Sequence, residues 1–271
     1  MKKILMLVWV LIIMLSACSN DKSSSSDKSS SSNDLPKANA VNVGSTIKFG
    51  RYEQDNNKLN GKEDIEWYVL DKKDNKVLLL SVKGLDGQKF NNTKKKIGFF
   101  TKDFFWKDCS LRKWLNKDFL KTAFNSKERD MIAETEIISQ FLYSISEYRE
   151  SGLKSGIDGI DYSKTNDKIF LLSGDECGKY FGGGHDSRIS NNVATCYPTE
   201  YAKSNGVNIP DPWVGKKGRV SWWRRGTAIF SNKNKEVCAD YTSYEGVGGS
   251  GSFSLTIKNA VRPALWLNLE P

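Results

Sequence analysis

Residues 1–40 cannot join a packed core, and that confines any fold to the residues beyond position 40. Lys2 and Lys3 precede an uncharged apolar run from Ile4 to Leu15, and small residues then lead to Cys18. A positive start, a short apolar stretch and a small-residue end form the pattern of a secretory signal, too short to span a bilayer comfortably. Behind it, Ser23 to Ser26 and Ser29 to Ser32 are interleaved with Asp, Lys and Asn. Such a stretch buries too little apolar surface to offset its ordering entropy. As a flexible coil, residues 19–40 span about 25 Å root-mean-square. The expected organisation is a signal peptide over 1–17, a tether over 18–40 and one globular domain over 41–271.

The block Leu15-Ser16-Ala17-Cys18 resembles the bacterial lipobox, in which the cysteine takes a diacylglyceryl group and becomes the mature N-terminus. Two acyl chains give stable anchoring, at about 0.8 kcal/mol per buried methylene. The expected location is therefore the outer face of a cell membrane, with Cys18 as the lipidated residue. The chain carries a formal net charge of +9. That balance suits anionic neighbours such as lipid headgroups, wall polyphosphates or acidic glycans, and equally a merely soluble surface. Export argues against nucleic acid as a partner. Apart from Cys18, the cysteines are Cys109, Cys177, Cys196 and Cys238, and none forms a Cys-x-x-Cys pattern. In an oxidising compartment they allow three pairings. A Cys177–Cys196 disulfide is expected to pin the glycine-rich loop between them, with buried free thiols as the alternative.

Periodicity places the elements. Ile47 and Phe49 alternate as in a strand, and Ile65–Leu70 with Val77–Leu80 flank residues 71–76 as a hairpin. Leu111, Trp114, Leu115 and Phe119 fall at helical spacing, predicting an amphipathic helix over about 110–124. Asn125 with Glu128, and Ser173 with Glu176, have the spacing of capping boxes opening short helices. Residues 151–167 read as a Gly- and Asp-rich loop, and Ile169–Leu172 as a buried strand. From Arg219 onward strands and turns alone are expected: 220–223, 228–230, 253–257 and 261–267. The fold class is α+β: an N-terminal β-hairpin and helices, then a mainly β C-terminal half.

Chemistry-bearing motifs are sparse. Gly246-Val247-Gly248-Gly249-Ser250-Gly251 matches G-x-G-x-x-G, but a strand follows where a dinucleotide site needs a helix, so it reads as a hairpin loop. Asp55, Asn57 and Glu66 fall at EF-hand positions one, three and twelve, yet Leu59 and Gly61 break the loop pattern and strands flank it. The stretch reads as a polar connection. A single His185 excludes multi-histidine metal sites. An exposed loop histidine is the first reading of His185, and a dyad with Cys177 or Cys196, oriented by Asp186, is the second. No metal site and no cofactor are expected, and any glycan binding is expected to be independent of calcium. The densest basic and aromatic stretch is Trp213, Lys216, Lys217, Arg219, Trp222, Trp223, Arg224 and Arg225. Aromatic faces stack on sugars, and arginine forks bind carboxylate or phosphate. Trp213, Trp222, Trp223, Arg224 and Arg225 are the candidate ligand surface. On a strand, Trp222 and Trp223 point to opposite faces, so the alternative is core tryptophan with a solvated arginine rim.

Several blocks, in order, resemble an uncharacterised bacterial domain family common in Gram-positive genomes, a domain of unknown function. They are Ile47–Asp55, Ile65–Leu70, Cys109-Ser110-Leu111-Arg112-Lys113-Trp114-Leu115-Asn116, Phe170–Ser173, Pro198–Ala202 and Val261-Arg262-Pro263-Ala264-Leu265-Trp266. The resemblance covers roughly residues 43–269. It departs where the family's Trp-Trp-Leu-Arg-Ser-Pro-Gly run stands here as Trp222-Trp223-Arg224-Arg225-Gly226-Thr227-Ala228. The closing strands are also similar to those of C-type-lectin-like domains, a fold shared by formylglycine-generating proteins. The paired cysteines with which those enzymes hold copper have no counterpart in Val261–Leu267. The resulting expectation is a lipid-anchored surface protein whose domain binds an envelope glycan, an anionic wall polymer or a surface protein. An extracellular enzyme on a C-type-lectin-like scaffold is the second reading, and a structural spacer the third.

Overall fold

A computed structural model describes residues 41–93, 105–142, 160–181, 193–211, 218–229 and 237–269. Cys18, the tether, His185, Trp213, Lys216 and Lys217 lie outside the described residues.

The expected hairpin forms the heart of a five-stranded sheet. Strand β1 (Thr46–Tyr52) pairs with β2 (Glu63–Lys73), and β2 with β3 (Lys76–Ser81), all antiparallel. Along β2 the inward residues Ile65, Trp67 and Val69 are buried and Glu66 is exposed, the alternation of a sheet with one wet face. Strand β3 is buried from Val77 to Ser81, as a central strand covered on both faces must be. The closing strand β12 (Ala264–Asn268) inserts between β3 and the short β5 (Ile132–Ala133). A bulge in β1 is set by Gly50, whose φ of 69° suits glycine and whose Cβ would lie 2.4 Å from the Phe124 ring.

Seven strands make the second sheet: β4 (Asp86–Lys89), β6 (Thr135–Leu142), β7 (Ile160–Asp167), β8 (Trp222–Ile229), β9 (Val237–Thr242), β10 (Gly248–Ser254) and β11 (Lys258–Val261). Its path runs β10-β9-β8-β11-β4, with β6 joining β7 to β8. Arg262 and Pro263 carry the chain from this sheet into the first. Fully buried, Arg262 donates from Nε to Ser81 O (3.0 Å) and from Nη1 to Val193 O (2.7 Å), and stacks 4.9 Å above the Trp222 ring. The Val-Arg-Pro-Ala-Leu block is thus a structural clamp between sheets.

The expected helix exists in three parts: α-helical Ser110–Trp114, a π-helical turn Leu115–Phe119 and α-helical Leu120–Ala123. Leu111, Leu115 and Phe119 are buried, and the Phe119 ring meets Tyr52 at 5.1 Å. Both capping boxes form. Asn125 and Glu128 exchange bonds at the helix Ser126–Met131, and Ser173 and Glu176 do so at Gly174–Phe181. Two expectations fail. Residues 160–167 are strand β7, paired with β6 along its whole length, in place of the expected loop. Ile169–Leu172 is buried but makes only a single bridge, Phe170 to Ala264, in place of the expected strand.

Candidate binding grooves

Of the residues expected to face a ligand, Trp213 lies outside the described residues and the other four are in the core. Trp222 and Trp223 are 0% exposed, Arg224 1% and Arg225 4%. Trp222 Nε1 donates to Ala194 O at 2.9 Å, and Trp223 Nε1 to Gln88 O at 2.8 Å. The cause is a bulge: Arg224, Arg225 and Gly226 fall between the paired residues Trp223–Tyr241 and Thr227–Ala239, so the strand's alternation breaks and both arginines turn inward. A side chain at Gly226 would force the Asp240 carboxylate to move, because its Cβ would sit 2.0 Å from Asp240 Oδ2. Arg225 forks onto Glu176, with Nη2 donating to Oε1 at 2.8 Å and Nη1 to Oε2, while Nε donates to Ile138 O and Nη1 also to Leu171 O. Neither the ligand surface nor the solvated rim describes these four residues; both arginines are buried, and Arg225 is an internal strut.

The Cys177–Cys196 disulfide is likewise absent. Cys109, Cys177, Cys196 and Cys238 are free and buried. Cys196 packs in the crossing where Gly84 bridges Pro198, and Cys177 faces inward from its helix. Burial pushes Cys109 and Cys177 up to about 12 and Cys196 up to about 11. At neutral pH these thiols are protonated, which removes them as nucleophiles.

Two grooves carry the polar chemistry that the expected site lacks. The first, of about 350 Å³, lies between the end of β4 and the start of the helix at Ser110. Lys89, Lys113 and Lys117 line it together with the half-buried Trp114 and one acid, Asp118, and Gln88, Asn92 and Ser110 supply neutral donors and acceptors. Asn91 Oδ1 ties the two walls by accepting from Asn92 N and Ser110 N. Lys113 and Lys117 are helix neighbours at i, i+4, and Lys117 sits on the π-turn, a distortion frequent at functional sites. Among the described residues none of the three lysines is in an ion pair. The signal was present in the sequence as two lysines flanking a tryptophan on an amphipathic helix. What was missing was Lys89, which only folding brings to them.

The second groove, of about 370 Å³, runs beside the loop joining β1 to β2 and the helix Glu200–Ser204. Asp55, Glu63, Asp64, Glu66 and Glu200 line it with Lys48 and Lys83. At its edge, carboxylate oxygens of Glu53, Asp55 and Glu63 lie within 4.8 Å of one another. Burial, then the nearby Asp55 and Glu63 carboxylates, raise the Glu53 pKa. Hydrogen bonds from the Asn60 amide and the Asn57 N–H lower that of Asp55.

A family model described as a domain of unknown function (DUF6273) matches residues 74–269. No curated protein and no solved structure matches the chain.

Proposed function

The chain belongs to that family of unknown function, and from this premise we propose that it is a lipid-anchored binding protein on the outer face of the cell membrane. Its ligand is an anionic envelope glycan or wall polymer, taken in the groove of Lys89, Lys113, Trp114 and Lys117. The observation that carries this reading is three lysines in no ion pair among the described residues, lining a single groove with the half-buried Trp114 and only one acid, Asp118. Cations draw carboxylate or phosphate groups, while an aromatic surface covers the apolar face of a sugar ring. Charges at such a rim are screened over about 8 Å at physiological ionic strength, so affinity should fall with salt. The lipobox-like block at Cys18 and the Ser-rich tether support anchoring. Among the described residues no helix is long and apolar enough to cross a membrane. An enzyme reading draws no support from the thiols of Cys109, Cys177 and Cys196, which are buried and protonated.

The test is a glycan and anionic-polymer array probed with the full chain in detergent. A Lys113→Ala/Lys117→Ala double variant should lose about tenfold or more in affinity, the equivalent of ~1.4 kcal/mol, with little change in melting temperature. Both side chains are exposed, so folding should survive. Binding that is unchanged in the variant, or insensitive to salt, would overturn the assignment of this groove.

A further inference from the structure

We propose that the tip of the loop joining β1 to β2 is a membrane-contacting foot: Leu59 enters the boundary between headgroups and acyl chains of an anionic bilayer, and Lys58, Lys62 and Lys121 meet the lipid phosphates. The inference rests on the membrane-anchored reading above and adds to it the surface by which the domain meets that membrane. Leu59 is 99% exposed, against 47–58% for the other exposed large apolar residues described. A single exposed leucine is ordinary on a protein surface. This one differs in how it is held and in what surrounds it.

The loop holds its tip through side-chain bonds. Asp55 Oδ1 accepts from Asn57 N at 2.8 Å and Asn57 Oδ1 from Leu59 N at 3.2 Å, two successive turns closed by side chains. Asn60 Nδ2 donates to Asp55 Oδ2 at 2.7 Å, and Ser204 Oγ to Asn56 Oδ1 at 3.0 Å. A loop ordered in advance loses little freedom on docking, so more of the gain from burying the leucine is kept. The nearest acids are spent inside the loop: Asp55 in the bonds just given, and Glu63 Oε2 in accepting from Gln54 N and Asp55 N.

The surroundings are basic. Lys58 adjoins Leu59, and Lys62 donates from Nζ to Thr122 O, which sets the loop against the end of the helix Leu120–Ala123, where Lys121 stands. All three lysines are exposed, and among the described residues none is in an ion pair. Exposed cations of this kind are drawn to anionic lipid. Their long stems keep the ammonium groups at the phosphates while an apolar neighbour goes deeper. One leucine and three cations would hold a free protein weakly. On a chain already tied to the bilayer the encounter is intramolecular, at an effective concentration on the order of millimolar, and a weak contact is enough to orient the domain.

The full chain is reconstituted through its own anchor into vesicles of phosphatidylcholine alone, or of phosphatidylcholine and phosphatidylglycerol in equal parts, and footprinted with hydroxyl radicals. Oxidation of Leu59 is read by mass spectrometry against that of Ile138, an exposed residue on strand β6 of the other sheet. In the anionic vesicles the ratio of Leu59 to Ile138 oxidation should fall about threefold or more relative to phosphatidylcholine. Raising salt to about 0.5 M should restore it, because the screening length shortens. Lys58→Ala/Lys121→Ala should lose about half or more of the protection. Lys76→Ala, an exposed lysine at the opposite end of β2 and β3, should keep it. All these side chains are exposed, so melting temperatures should stay at the wild-type value. A chain held by the vesicles with Leu59 as reactive in anionic as in neutral lipid would overturn this inference alone. So would protection that the double variant leaves intact, or that Lys76→Ala removes equally. A chain that enters neither kind of vesicle would overturn the anchored reading and this inference with it.

Discussion

Replacing Arg225 with alanine would leave Glu176 facing the protein interior without its cation. The two side chains are 5% and 29% exposed, and the fork also holds two backbone carbonyls. Removing one member of such a pair costs about 3–5 kcal/mol, because an uncompensated charge stays behind. Arg225→Ala is therefore expected to lower unfolding free energy by that order, measured by urea denaturation. Arg225→Ala/Glu176→Gln should cost less than the sum of the singles; strict additivity would mean that the two do not act as a unit. This is where residue-level reading from sequence runs out. The spacing of Ser173 and Glu176 announced a capping box, and it formed. Nothing in the sequence announced that the same Glu176 also receives an arginine 49 positions later. An arginine beside two tryptophans has the same composition whether it faces a ligand or a buried acid. Only the bulge at 224–226 decides, and bulges come from pairing with a distant strand.

At the scale of elements, what was legible was local. The first hairpin, the helix beginning at Ser110 and both capping boxes are written in residues close together along the chain. Strand β7 was not, for a specific reason: its inward residues Ser163, Thr165 and Asp167 are as polar as its outward Tyr162, Lys164 and Asn166, so the alternation is invisible to hydropathy. Asp167 offsets its burial by accepting from Trp106 Nε1, Thr165 Oγ1 and Arg112, which ties β7 to the start of the helix. Two helices also carry buried thiols: Cys109 as an N-cap and Cys177 on the inner face. Their folded pKa values rise from an ordinary 9.0 to about 12. Above pH 9 the unfolded chain loses these protons while the folded chain keeps them, so the unfolded state binds fewer protons and stability falls as pH rises. Below pH 9 the contribution is constant. Urea denaturation of the reduced protein between pH 8 and 10.5 should show a decline of up to about 1.4 kcal/mol per pH unit for each thiol. Cys177→Ala should be less stable throughout but have a shallower alkaline slope. An unaltered slope would mean that Cys177 is not the group responsible.

For the whole molecule, the two sheets are joined at Val261–Ala264, and the Lys and Trp groove opens where β4 of one sheet meets a helix that packs on the other. A groove assembled from residues 88–92 and 110–118 depends on the complete fold, which is why its helical half was visible in the sequence and its strand half was not. The same scale governs anchoring. In the reading proposed above, attachment would rest on Cys18. A single acyl chain gives only marginal binding, whereas the two chains of a diacylglyceryl group hold firmly. A flexible coil of the length of residues 19–40, about 25 Å root-mean-square, would then hold the domain within a few screening lengths of the surface. A Cys18→Ala variant should accordingly leave the detergent phase for the aqueous phase. The domain's melting temperature should not change, since by composition residues 1–40 are expected to contribute nothing to the core. Should the variant stay with the membrane as firmly as wild type, the apolar run from Ile4 to Leu15 is the anchor. The chain would then be held by an uncleaved helix, and the groove would face whichever side that helix selects.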